Sequence, residues 1–426
     1  MRRVLITGLG FATCLGFDRK SVVQRLRQSR HGFALPGWLA DLPCPVKVAA
    51  PPVGFDVDST NPLDWTWPDG FGLLPEMIRG WPPHAVYAWC AVQGALNDAG
   101  LAGSDLTDGS TGLFAASVGS PRMMRHYLNR MADTDWRRGH PLGIVTAIPG
   151  SLHFHLGSLL QIRGAACTFV SACTSSGHAL GAAFDEISSG RQERVLVVGA
   201  EELNRESLLP FSAMDALSRS ASPDAASRPF DRKRDGFVGT GGAAALVLES
   251  EAAAQHRGAP AQAEFLAWAQ ASDGFHVAQP PADGNGILRA MQQCLKSAGV
   301  TAETIDAVNV HATSTPAGDA AEAAALLEAF PPERCQPAIV ATKSLTGHGL
   351  SMAGAMEAAF CVLSLTENFL PGHPSLRDPD PCIGNLRVLR ESTAATPQLI
   401  LNNGSGFGGT NVCQIFRRAE PSSSHE

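Results

Sequence analysis

The chain has 426 residues, is 44% hydrophobic and 17% charged, and carries a formal net charge of −7 at pH 7. That length exceeds one ordinary core, so two domains or a duplicated unit are expected. The acidic balance argues against nucleic acid as the main partner. Ten cysteines run from Cys14 to Cys413 without a CxxC pair, so neither a zinc site nor a disulfide framework is indicated. Unpaired cysteines in a chain this large fit a reducing, cytoplasmic setting. Met1-Arg2-Arg3 and the apolar run to Phe17 imitate a signal peptide, but Thr7, Gly8, Gly10, Thr13 and Gly16 interrupt it and no Ala-x-Ala site follows. No uninterrupted apolar segment reaches about 18 residues, so no membrane span is expected.

In chain order, Arg3 to Leu9 reads as a strand and Arg19 to Arg27 as a helix with Val22, Val23 and Leu26 inward. Residues His31 to Pro83 are rich in Pro, Trp and Gly, lack clear periodicity, and read as an insertion or lid. Ala85 to Gly100 is a helix on Val86, Trp89, Cys90 and Leu96, and Thr111 to Ser117 a strand. Arg122 to Arg138 is basic, by default a solvated face. Ala166 to Val170 and Val195 to Val198 are buried strands flanking a helix on Ala179, Leu180, Ala183 and Ile187. A Gly-rich loop over Arg228 to Gly242 leads into a strand, Ala243 to Leu248. Polar residues near 255–260 mark a junction between halves, 1–255 and 256–426. The second half repeats the alternation: strand Ala263 to Ser272, helix Gly286 to Gly299, strand Ala307 to Val310, helix Asp319 to Phe330, strand Ile339 to Thr342, helix Ser351 to Leu365, strand Gln398 to Asn402. Such alternation predicts a layered α/β fold. Gly8-x-Gly10 lacks a third glycine, and Gly239-x-Gly241-Gly242 precedes a strand, so neither is a dinucleotide loop.

Chemistry concentrates at the strand–helix turn Val170-Ser171-Ala172-Cys173-Thr174-Ser175-Ser176-Gly177. Taken alone, a free cysteine is more often buried and inert. At a helix N-terminus, however, free N–H groups and partial positive charge favour a thiolate and can bind an oxyanion. Four more segments accompany it: His311-Ala312-Thr313-Ser314-Thr315 running to Glu322, Lys343-Ser344-Leu345-Thr346-Gly347-His348, Arg228-Pro229-Phe230-Asp231 running to Phe237, and Gly404-Ser405-Gly406-Phe407-Gly408-Gly409-Thr410-Asn411. Cys173, His311 and His348 lack a fourth ligand at zinc spacing.

In this ordered set the chain resembles the β-ketoacyl-acyl carrier protein synthases of the thiolase superfamily, over about Arg3 to Phe416. The resemblance implies two similar halves in a five-layered α-β-α-β-α architecture. It implies decarboxylative Claisen condensation of an acyl-enzyme thioester with a malonyl thioester, in fatty-acid or polyketide/polyene chain elongation. Cys173 would be the nucleophile, His311 and His348 the enolate-stabilising pair, and Lys343 and Glu322 the groups setting the electrostatics or orienting the histidines or a water. The backbone N–H groups of Cys173 and Phe407 would form the oxyanion hole. Thr313 and Thr315 would bind pantetheine, Phe237 and Phe407 would gate the acyl pocket, and Arg137 and Arg138 would dock the carrier. No metal or nucleotide cofactor is implied, the substrates being carried on the phosphopantetheine of acyl carrier protein. The protein would be a homodimer, or a heterodimer with a related ketosynthase or chain-length-factor subunit. Three departures stand out: Ala312 replaces the usual glycine, the common S-L-G-A-A-G after the second histidine becomes Gly349-Leu350-Ser351-Met352-Ala353-Gly354, and 31–83 is unlike a housekeeping synthase. A non-catalytic chain-length-factor-like partner, a thiolase acting on coenzyme A thioesters, and a cysteine peptidase are the competing readings.

Overall fold

The computed structural model describes residues 1–420; the last six residues of the expected second half lie outside the described residues. Its strands are β1 (Val4–Ala12), β2 (Thr111–Ala116), β3 (Ala166–Phe169), β4 (Arg194–Glu201), β5 (Gly242–Ser250), β6 (Ala263–Ser272), β7 (Ala307–Asn309), β8 (Ala338–Val340), β9 (Phe369–Leu370), β10 (Thr393–Ala394), β11 (Leu399–Gly406) and β12 (Thr410–Arg418). Apart from the small β9–β10 pair, they form one sheet in the order β3-β2-β4-β5-β1-β6-β12-β11-β7-β8.

That sheet is a duplication. Its first five strands have the order 3-2-4-5-1, and the last five, counted from β6 and read from the far edge, have the same order. The directions match as well: β2 is parallel to β3 and β4, and β5 antiparallel to β4 and β1. Likewise β7 is parallel to β8 and β11, and β12 antiparallel to β11 and β6. Within this sheet the halves are joined through Val4, Leu5 and Ile6 of β1, paired with β6.

Side-chain alternation places the layers. In β4, Val195 and Val197 face a central core with Ala179, Leu180 and Ala183 of the Ser175–Ser188 helix and Met356, Phe360 and Leu363 of the Ala353–Glu367 helix. Leu196 and Val198 face the other way, onto the Pro83–Ala99 helix. In the second half, Val308, Leu401 and Ile415 pack outward on the Asn285–Ala298 and Pro316–Ala329 helices. The result is the α-β-α-β-α stack of the thiolase fold. With both faces of its sheets covered, it needs near-continuous apolar strands. The helical stretch Leu350–Glu367 is long and apolar enough to cross a membrane by length and composition, and it is buried almost throughout in this central layer.

β1 runs to Ala12, past the glycines at which the sequence suggested it would end. A Cβ at Gly8 or Gly10 would collide with the backbone oxygens of Ala95 and Ala91, so these glycines let the strand lie against its helix. Residues 31–83 are largely irregular, with a short helix at Gly37–Ala40 and a 3-10 turn at Pro62–Asp64. They are nonetheless packed. Leu39, Val46 and Ala49 join a cluster with Leu203, Leu208 and Phe237, while Trp65, Ile78 and Trp81 join the outer N-terminal core. The Ala50 N–H donates to Gly239 O (2.9 Å), and the Thr240 hydroxyl to Ala50 O (2.7 Å), tying the segment to the loop that carries Phe237.

Candidate active site

Cys173 stands on a tight elbow between β3 and the Ser175–Ser188 helix. Ala172 takes φ +51°, left-handed backbone that a non-glycine residue holds only when its surroundings impose it. The imposing bonds are local: Ser171 N–H to Ser175 Oγ (2.8 Å), Ser175 Oγ to Ala172 O (2.6 Å), and Thr174 Oγ1 to Ser171 O (2.7 Å). The β11–β12 turn presses on this elbow from the other half. A Cβ on Gly406 would stand 3.1 Å from Cys173 N and 3.3 Å from Ser171 O, so the close approach requires glycine. Gly408 and Gly409, at φ +81° and +70°, complete the turn. The backbone N–H groups of Phe407 and of Cys173 lie by the thiol and favour its ionised form.

The expected thiolate is not the resting state. Burial pushes the Cys173 thiol up to about 12, and the charge of Glu201 pushes the same way; Lys343 and the two N–H donors only partly oppose this. Loss of solvation outweighs the favourable charge of Lys343.

The histidines come from equivalent places in the second half, just after β7 and just after β8. His311 is set through its backbone. The Glu322 carboxylate accepts the N–H of His311 (2.8 Å), the N–H of Ala312 (2.6 Å) and the side-chain amide of Asn403 (2.6 Å). Glu322 therefore orients the loop and does not touch the ring, and burial raises its pKa. His348 follows Gly347 (φ +72°); its N–H donates to Val238 O (2.7 Å) and its carbonyl accepts from Thr240 N–H (3.2 Å). The two rings meet edge to face, centroids 5.1 Å apart at 89°. In each ring Nδ1 is buried with no hydrogen-bond partner among the described residues. Burial and then the Lys343 charge hold both well below 6.5, so both are neutral imidazoles.

Lys343 is 1% exposed and pairs with Glu357 on the central Ala353–Glu367 helix, a partner absent from the sequence reading. Burial lifts Glu357 to about 7 while Lys343 draws it down. The Lys343 field reaches Cys173, His311, His348 and Glu322 alike.

Phe237 packs on His348 (5.3 Å, 87°), and Phe211 bridges Phe237 (5.5 Å) and Phe407 (6.1 Å). Phe211 lies in a short 3-10 stretch, Leu209–Met214, whose sequence reads as ordinary apolar filling. Thr313 and Thr315 stand beside His311 with hydroxyl oxygens 3.0 Å apart. The structure thus brings Cys173, His311, His348, Lys343, Glu322, Phe237, Phe407 and the two threonines into one site. Arg137 and Arg138 lie apart from it, exposed beyond the Pro121–Ala132 helix and without an ion pair among the described residues. Among the described residues, no group of three or more His, Cys, Asp or Glu side chains is arranged to hold a metal ion.

A family model described as Beta-ketoacyl synthase, N-terminal domain, matches residues 1–254, and one described as Beta-ketoacyl synthase, C-terminal domain, matches residues 262–377. The 3-oxoacyl-[acyl-carrier-protein] synthase 1 of Haemophilus influenzae is 32% identical over 430 residues, covering 98% of this chain and 99% of that protein. The crystal structure of a beta-ketoacyl synthase from Burkholderia phymatum matches with a TM-score of 0.89 at 32% identity, covering 99% of this chain and 100% of that one. The ishigamide ketosynthase/chain length factor matches with a TM-score of 0.86 at 27% identity, covering 98% of this chain and 100% of that one.

Proposed function

Because the chain belongs to the β-ketoacyl synthase family, an acyltransferase class on the thiolase fold, we propose that it elongates acyl chains by decarboxylative condensation on acyl carrier protein. One observation carries this reading: a thiol faced by two backbone N–H donors, in a site with two neutral imidazoles 5.1 Å apart. In the first step the Cys173 sulfur adds to the carbonyl of an acyl thioester. The N–H groups of Cys173 and Phe407 stabilise the oxyanion, and the carrier thiol leaves with the cysteine's proton. In the second step a malonyl thioester loses CO₂. The N–H donors of His311 and His348 stabilise the enolate oxygen, a task that neutral rings perform without giving up a proton. The enolate carbon attacks the acyl-cysteine carbonyl, the C–S bond breaks, and the β-ketoacyl thioester departs on the carrier.

Thr313 and Thr315 offer paired hydroxyls to the amides of the pantetheine arm. Phe237, Phe211 and Phe407 close the acyl pocket, and no metal or nucleotide is needed for these steps. Arg137 and Arg138 supply exposed positive charge for an acidic carrier. A dimer, with a second copy or a related subunit, is favoured by the open edge of β3: Ala166 and Cys167 are exposed there, and Val170 just beyond is 56% exposed. Carrier-borne substrates and free cysteines favour a reaction in the reducing cytoplasm. A thiolase reading would call for a second cysteine at the site, but Cys413 is buried in the outer core against Cys294. A non-catalytic partner role is opposed by the complete set Cys173, His311 and His348.

Intact-protein mass spectrometry after incubation with a panel of acyl-carrier thioesters tests the reading. One acyl adduct on Cys173 is expected. No adduct with any thioester, or an adduct elsewhere, overturns it.

A further inference from the structure

Glu201 ends β4, and the chemistry above leaves it without a role. Its side chain is 1% exposed. One oxygen, Oε2, accepts the hydroxyl of Ser351 and also its N–H (3.3 Å). The other, Oε1, is buried with no partner among the described residues. Ser351 lies three positions after His348, where the family resemblance places a glycine, so this bond belongs to the present chain and not to the family pattern.

Three elements meet here. A Cβ on Gly199 would stand 2.8 Å from Met352 Cα and 3.0 Å from Ser176 Cβ, so β4, the Leu350–Met352 turn and the first turn of the cysteine helix converge. Ser176 Oγ accepts the Ala355 N–H (2.9 Å) at the same junction. On its other side, the His348 backbone is held by Val238 and Thr240, and Glu201 pairs with Gly242 just beyond them. The His348 ring has no bond at Nδ1 to fix it. Its place is set by its packing against Phe237 and His311 and by its backbone, held by Val238 and Thr240 on one side and followed by the Ser351 anchor on the other.

We propose that Glu201 is a positioning residue: through Ser351 it fixes the segment following His348 against the strand beside Cys173, and so sets the imidazole for the condensation step. The charge state is compatible with this. Burial lifts the carboxyl to about 8 against the pull of the two Ser351 bonds, with Glu202 pushing the same way as burial.

The inference rests on the condensing reading, so wild-type enzyme is measured first for acylation of Cys173 and for condensation with a malonyl thioester. Failure there refutes the reading itself. With wild type active, Glu201→Ala and Ser351→Gly are each expected to slow condensation about tenfold while acylation stays within about twofold, since small displacements weigh on the step needing the histidine. The double variant should be no slower than the slower single one. Glu201→Gln, which keeps an acceptor oxygen for Ser351, should recover most of the loss. Ser351→Gly removes only a hydroxymethyl group and gives the answer even if Glu201→Ala does not fold. Wild-type condensation in Ser351→Gly, equal losses in both steps, or a glutamine variant no better than alanine would each overturn the inference.

Discussion

The two halves of the sheet share strand order and direction but use the equivalent positions differently. Just past β3 the first half offers a strained elbow and a thiol; just past β7 and β8 the second half offers two imidazoles. Their outer edges diverge as well. β8 is fully buried, because residues 387–389 run beside it: Ile339 N–H donates to Arg387 O (2.9 Å) and Leu389 N–H to Ile339 O (3.0 Å). The matching strand β3 is left open and partly exposed. One scaffold, built twice, carries a thiol and an open edge on one side, two neutral imidazoles and a capped edge on the other. Loops and strand ends can vary in this way because the buried interiors of the strands carry the fold.

The comparison breaks most sharply at the nucleophile. Cys173→Ala should abolish acyl transfer and lower turnover by roughly 10³-fold or more; a variant retaining wild-type acyl-enzyme formation by mass spectrometry would end the division of labour. In the other half, His311→Ala or His348→Ala should cost condensation about 10²- to 10³-fold while acyl-Cys173 still accumulates. Parallel losses in both steps would show that the halves are not chemically separate.

The same histidines predict the acid side of the pH profile. Both imidazoles have pKa values lowered below that of the unfolded chain, so they stay neutral donors in the folded state as pH falls through about 6.5. Condensation from a preloaded acyl-enzyme should therefore be flat between about pH 7.5 and 6. Stability, in contrast, should fall below about pH 6.5, where the unfolded chain binds protons that the buried rings refuse. A drop in condensation tracking a pKa near 6.5 would contradict neutral rings.

Smaller effects concern the supports. Lys343→Met leaves Glu357 buried and alone, and should destabilise the protein by about 3–5 kcal/mol in chemical denaturation. At the open edge, Ala166→Lys should convert a dimer to monomer in light scattering, without changing the circular dichroism spectrum. Finally, Arg137→Glu with Arg138→Glu should raise KM for carrier-borne substrate up to about tenfold, with kcat unchanged and the effect fading in high salt. An unaltered KM would remove these arginines from the docking face.

Much of this was legible in the chain itself. Alternating apolar runs gave strands and helices their order. The five segments around Cys173, His311, His348, Phe237 and Phe407 marked the site, because chemistry here sits on short stretches just after strands, where neighbours in sequence are also neighbours in space. Other features left no local signal. Glu357 looks like any acid on an apolar helix until the fold sets it against Lys343. Phe211 reads as filler, and Glu201 and Ser351 lie 150 positions apart. β12 was not foreseen because it follows directly on the glycine-rich turn with its apolar residues paired and not alternating, and the Gly143–Ala147 helix is too short to show a period.

The sequence alone determined which groups are available: one thiol at a strand–helix turn, two histidines, a lysine and a glycine-rich turn. The tertiary structure decided their state. Whether Cys173 rests as thiol or thiolate depends on desolvation by residues from both halves, and burial wins over the Lys343 charge. Whether the histidines are charged depends on Lys343 and on the layers that bury them. Solvation and long-range charge are sums over everything nearby in space, and no window along the chain contains them.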